Sequence, residues 1–130
     1  MKIKNTKTYQ ARISIEAGPR QSGKTTRQIK WLVENSQEKD LSDCVIYSKN
    51  MSQGMAVADQ AMREVGKRYT LYGRGIKVVS SNLKNNLRGR KELVFASVSI
   101  QSNHPEFTDL MKFIINNSMS IKLASIELDV

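Results

Sequence analysis

Arg12 to Thr26 read RISIEAGPRQSGKTT, and this stretch decides the fold. Over Arg12 to Ala17, Ile13, Ile15 and Ala17 alternate with polar neighbours, which is the period of a strand. A glycine-rich turn follows. Thr25 to Glu38 then reads as a helix, with Ile29, Leu32 and Val33 on one face and no proline inside. Gly18 to Thr25, G-P-R-Q-S-G-K-T, matches the phosphate-loop pattern G-x-x-x-x-G-K-[ST]. The spacing has a chemical reason. Gly18 and Gly23 let the backbone curl so that successive N–H groups point at one anion. Lys24 brings positive charge to β- and γ-phosphates, Thr25 offers a hydroxyl to Mg²⁺, and the helix that follows presents its positive end. Pro19, Arg20, Gln21, Ser22 and Thr26 complete the expected contact segment. ATP and Mg²⁺ are the cofactors this pattern implies. The competing reading is an ordinary strand–turn–helix connection with a surface lysine.

Working outward, the same alternation of strand and helix continues. Cys44 to Ser48 is a short β-branched strand, and Ser52 to Gly66 a helix with Met55, Ala58, Met62 and Val65 at three- and four-residue spacing. Ile76 to Ser80 is a third strand after the turn Gly73 to Gly75. Asn82 to Lys91 is polar and basic, a loop with a short helical turn. Glu92 to Val98, ELVFASV, is an unbroken apolar run of the kind found in buried parallel strands. Phe107 to Asn117 is a third helix with Leu110, Met111, Ile114 and Ile115 inward, and Ile121 to Val130 a last strand. Strands alternating with helices predict an α/β fold, a mostly parallel sheet of about five strands with helices on both faces, the architecture of a phosphate-loop NTPase. Ligands of such folds bind beyond the C-terminal strand ends. No repeat, low-complexity tract or linker divides residues 1–130, which read as one domain.

Composition narrows the classes. The 130 residues are 39% hydrophobic and 25% charged, which excludes a disordered tail and a collagen-like chain. The single cysteine, Cys44, cannot form an internal disulfide, so a reducing cytoplasm is expected. No stretch approaches the apolar length that spans a bilayer, and the basic N-terminus lacks the apolar core of a secretory signal. No membrane partner is expected. With 21 Lys+Arg against 12 Asp+Glu, the net charge is +9, which suits an acidic partner such as DNA or RNA or simply aids solubility. Lys84, Arg88, Arg90 and Lys91 are the candidate nucleic-acid contacts. Aromatic residues are too few to suggest a stacking platform, so contact to the phosphate backbone is the simpler expectation.

PRQSGKTT resembles the phosphate loop of the ATPase domain of phage large terminases, the DNA-packaging motors, which carries Arg-Gln, one residue, then Gly-Lys-Thr-Thr. Further segments are similar in order. IYSKNMSQGMAVADQ resembles that domain's second strand and helix, IKVVSSNLKNNLRGR its third strand and basic loop, and ELVFASVSIQ its Walker B strand. IKLASIELDV stands at the place of the coupling-motif strand. The likeness runs from Arg12 to Val130. Superfamily 1 and 2 helicases share much of it. It implies an additional-strand ATPase core, a phage origin, and a role for Arg20 in stabilising charge on the γ-phosphate. A packaging motor also carries further ATPase elements and a nuclease domain, so the chain is expected to correspond to the nucleotide-binding half.

The resemblance breaks at one place. A Walker B strand ends in Asp, which helps hold Mg²⁺, and usually Glu, which orients or activates water. The aligned positions here are Ala96 and Ser97, neither an anion, although Ser97 could hydrogen-bond a metal-bound water. Glu16, Glu106, Asp109, Glu127 and Asp129 are the acids that could substitute, and each reads first as a surface or N-cap carboxylate. The expectation is nucleotide binding with slow or absent hydrolysis. Two other functions stay open. One is a small nucleotide or nucleoside kinase, with arginines supplied by GRG and NLRGRK. The other is a non-enzymatic protein that uses the fold to bind another phage protein, a host protein or nucleic acid. His104 stands alone beside Pro105, which argues against zinc. Cys44, Trp31, Met51, Met55 and Met62 read as packing residues.

Overall fold

A computed structural model describes residues 12–19, 23–80, 92–101, 103–117 and 120–130. Through them run β1 (Arg12–Gly18), α1 (Lys24–Asn35), β2 (Cys44–Tyr47), α2 (Met51–Glu64), β3 (Lys77–Val79), β4 (Leu93–Gln101), α3 (Pro105–Asn116) and β5 (Ile121–Asp129). Each strand and helix expected from the sequence is present, and the boundaries move for local reasons. α1 stops at Asn35, short of Glu38, because Ser36 turns extended at ψ 139° and the Asn35 amide folds back on the Trp31 carbonyl. α2 starts at Met51 because the Asn50 side chain accepts from the Gln53 N–H and caps it. α3 starts at Pro105, where the missing N–H costs a helix nothing, with His104 as its cap through Nδ1. β4 runs past Val98 to Gln101.

The five strands form one all-parallel sheet in the order β1-β5-β4-β2-β3. Parallel neighbours need crossovers, and the three helices lie in the crossovers on both faces of the sheet. β2, CVIY, is buried along its whole length, so consecutive residues feed different cores. Ile46 packs with α1 and α2 through Leu32, Ala58 and Met62, and Val45 packs with α3 through Leu110 and Ile114. Phe95, fully buried on the α3 side, meets Phe113 with ring centroids 6.4 Å apart. Burial of such a side chain contributes about 1.5–3 kcal/mol. α2 approaches the sheet closely at Gly54, where a Cβ would stand 2.8 Å from Val78 Cγ1.

This order sets β5 between β1 and β4. In register, Gly18 pairs with Asp129, and Asp129 with Gln101, so three strand ends meet in one row. Among the described residues no helix is long and apolar enough to cross a membrane.

Candidate functional site

Gly23 initiates α1 in the left-handed region, φ 83° and ψ 8°, which a side chain would strain. The opening turn of a helix leaves its N–H groups without intrahelical acceptors, and Gly23 supplies no side-chain cap. The next residues face β5 as a polar staircase. Lys24 Nζ lies 3.1 Å from Asp129 Oδ1. Thr25 Oγ1 donates to Glu127 Oε2 at 2.5 Å. Gln28 Nε2 donates to the carbonyls of Ser97 at 2.9 Å and Ser125 at 3.2 Å. The period of two along β5 puts Ser125, Glu127 and Asp129 on the α1 side, while Ala124, Ile126 and Leu128 join the α3 core.

Lys24 is only 3% exposed. Its ammonium donates to the carbonyls of Gly18 at 2.8 Å and Pro19 at 2.6 Å, besides facing Asp129. The loop ends therefore hold the lysine at the turn between β1 and α1. Gly23, Lys24, Thr25 and Thr26 open onto a cleft of about 970 Å³, at the upper end of the usual size for ligand sites. Its far wall comes from Ser99 and Gln101 of β4, from Lys49, Asn50 and Gln53 around the start of α2, and from Glu106 of α3. The cleft thus lies at the C-terminal strand ends.

Several sequence expectations are corrected here. Glu127 and Asp129 are not surface carboxylates: they are 4% and 8% exposed and touch Thr25 and Lys24. The mouth of β4 is not at Ala96 and Ser97, which are buried and pair with Ser125 and Ile126 within the sheet. Ser97 does not line the cleft, so it is not placed to reach a bound metal's water there. The end of β4 presents Ser99 and Gln101, again without an acid. Glu106 is more than a cap-region carboxylate, since the Tyr47 hydroxyl donates to it at 3.1 Å. Asp109 lines a second hollow of about 360 Å³ with Tyr47, His104 and Glu106. Glu16 is part-exposed and ion-pairs with Arg27. His104 works as a helix cap, and Met62 is core while Met51, Met55 and Trp31 pack against it. Of the candidate contacts, Arg20, Gln21 and Ser22, with Lys84, Arg88, Arg90 and Lys91, lie outside the described residues.

Ser99 was not singled out by sequence. It sits in the left-handed region at φ 44°, where the β4–β5 register slips between Ser97 and Ile100. Its N–H donates a long hydrogen bond, 3.4 Å, to Glu127 Oε1. No residue pattern in the strand announced that irregularity. Among the described residues, Tyr47, Tyr69 and Cys44 near the site and core have raised pKa values, Tyr69 through burial. Burial first, then the Glu106 carboxylate, pushes the Tyr47 phenol up to about 12. Burial pushes the Cys44 thiol well above its ordinary value, with Asp43 adding to it.

The donor set suits a hard cation better than a soft one. Thr25 and Glu127 supply oxygen, and no cluster of three or more His, Cys, Asp or Glu among the described residues would hold an ion alone. Magnesium is commonly held by one or two carboxylates with substrate phosphates, so these residues fit it. Comparison with known proteins returns no matching family model, no matching curated protein and no matching solved structure.

Proposed function

We propose that this chain binds a nucleoside triphosphate, ATP, with its phosphates at Gly23 to Thr26. The observation that carries the reading is the junction of β1 and α1. A left-handed glycine opens the helix, and Lys24 and Thr25 follow it at the rim of a cleft beyond parallel strand ends. Lys24 would exchange the Gly18 and Pro19 carbonyls for phosphate oxygens. Arg20, Gln21 and Ser22 would complete the loop, with Arg20 near the γ-phosphate. Magnesium, when bound, neutralises phosphate charge, and the Thr25 hydroxyl is the motif's group that would reach it. The position of β5 between β1 and β4 supports an additional-strand ATPase related to terminase or helicase domains.

Turnover is slow in this reading. β4 ends on Ser99 and Gln101, so this strand itself offers the cleft no carboxylate to activate water. The protein works in the cytoplasm, that of the host if a phage encodes it, and its basic segment from Lys84 to Lys91 meets DNA or RNA. The hollow beside Glu106 and Asp109, which shares His104 and Glu106 with the cleft, favours a second reading, phosphoryl transfer to another small molecule such as a nucleoside monophosphate.

The test is thermal unfolding with saturating ATP, with and without Mg²⁺, on the wild type and Lys24→Ala. Ligand that binds only the folded state at a hundred times its Kd stabilises by about 2.7 kcal/mol. The wild type should gain on this scale and the variant should not. Identical shifts in both would refute occupancy of the loop. Phosphate release with and without DNA, and transfer to nucleoside monophosphates, then separate binding, motor and kinase activities.

A further inference from the structure

We infer that Glu127 is the carboxylate that holds the nucleotide's magnesium ion, supplied by β5, the strand beside the phosphate-loop strand. This rests on the nucleotide-binding reading above and deepens it.

Three independent features point to Glu127. The first is convergence. Its Oε2 already meets the Thr25 hydroxyl at 2.5 Å, so the two oxygens can address one ion at the start of α1. The second is the backbone of β4. Ser99 adopts a left-handed conformation that a serine reaches only against a steric cost, at the register slip, and its N–H lies on Glu127 Oε1. That long contact falls on Oε1, while Thr25 meets Oε2. A bulge beside a site commonly re-aims a group, and here the group aimed is a backbone donor. The third is charge. Glu106, Glu127 and Asp129 line the cleft against Lys24 and Lys49, an excess of one negative charge among the described residues. A triphosphate entering beside that wall meets repulsion from Glu127 unless a cation stands between them. Asp129 is less suited to the ion, because it is engaged with the Lys24 ammonium.

Buried carboxylates are costly, and Glu127 is 4% exposed, so its burial at a cleft rim calls for a cationic or hydrogen-bonding partner. Thr25 and Ser99 supply two hydrogen bonds to it. Neither supplies positive charge.

The experiment measures ATP affinity of the full chain by calorimetry, in Mg²⁺ and in excess chelator, for wild type and Glu127→Gln. The wild type should bind ATP more tightly with Mg²⁺ than in chelator, and disturbing a residue that holds the metal should cost at least about tenfold of metal affinity. In Glu127→Gln that gain should vanish, while metal-free affinity rises because a repelling charge is gone. Mn²⁺ paramagnetic resonance in the presence of ATP should show the same loss. If the wild type binds ATP and gains from Mg²⁺, but Glu127→Gln gains equally, the assignment to Glu127 is wrong and nucleotide binding stands. If the wild type binds ATP with no gain from Mg²⁺, the assignment is also wrong. If ATP does not bind under either condition, the nucleotide reading itself fails and takes this one with it. Should Glu127→Gln not fold, Glu127→Asp decides by the same comparison. A reduced gain supports the assignment, and an unchanged gain overturns it.

Discussion

The Thr25 hydroxyl donates to Glu127 Oε2 at 2.5 Å, a contact that spans 102 positions of sequence and ties the first turn of α1 to the end of β5. Lys24 with Asp129 and Gln28 with Ser125 repeat the relationship one step above and below it. A polar ladder on an otherwise apolar interface costs desolvation unless its members pair, and here each rung pairs α1 with β5.

Removing the carboxylate opposite Lys24 should change folding and binding in opposite directions. The side chains of Lys24 and Asp129 are 2% and 9% exposed, so Asp129→Asn strands a buried ammonium on two carbonyls. We expect a loss of about 3 kcal/mol without ligand. ATP should restore more stability to the variant than to the wild type, because phosphate then replaces the lost counter-charge. Chemical denaturation with and without ATP reads both effects. Equal ligand-induced gains would show that Lys24 does not move to the phosphates.

Gly54 allows α2 to lie close against β3. In Gly54→Ala the new methyl would stand 2.8 Å from Val78 Cγ1 and 3.0 Å from Ser48 Cβ, both on packed side chains. Overpacking of this kind costs about 1–3 kcal/mol. The expected outcome is a clearly lower Tm, although alanine favours helices. A Tm unchanged or raised would mean that the helix can withdraw without loss.

Gln28 binds two strands to α1. Gln28→Ala removes donors from the Ser97 and Ser125 carbonyls inside the structure, where Gln28 is itself buried. Each buried hydrogen bond lost costs about 0.5–1.5 kcal/mol. Gln28→Leu should be no better, since volume returns without the donor. Urea unfolding of both variants checks this, and a stable leucine variant would show that packing alone seats the helix.

The Tyr47 phenol supplies a pH signature. Its folded value of about 12 lies above the ordinary 10, so the folded state holds the proton more tightly than the unfolded chain. The associated stability is fully present below pH 10 and is lost as pH rises towards 12. Ultraviolet titration should show a late-ionising tyrosine that Tyr47→Phe removes, distinct from Tyr69, which burial also raises. Glu106→Gln should bring that midpoint part of the way down, because the charge goes while burial stays. An unmoved midpoint would assign the whole shift to burial.

Much of the architecture was legible in the chain itself. The alternation in RISIEA, the β-branched CVIY and the helical spacing of Met55, Ala58 and Met62 are local patterns, and local patterns are visible in sequence. The element ends were less legible. Ser36, Asn50 and Pro105 set them through backbone angles and caps that compete with periodicity.

For the site, residues adjacent in sequence were readable and residues adjacent only in space were not. Gly18 to Thr26 stand out in sequence because the phosphate-loop pattern sets its glycines, lysine and hydroxyl at a fixed local spacing. Glu127 and Asp129 announce nothing, since alternating acids near a strand end look the same whether they face water or a helix. Strand order decides between these, by inserting β5 beside β1 so that Glu127 and Asp129 close onto Thr25 and Lys24. Sequence alone thus determined the glycine, lysine and threonine spacing of Gly18 to Thr25 and the α/β alternation, whose physics is local. Tertiary structure decided which acids share the cleft, because that depends on which strands become neighbours.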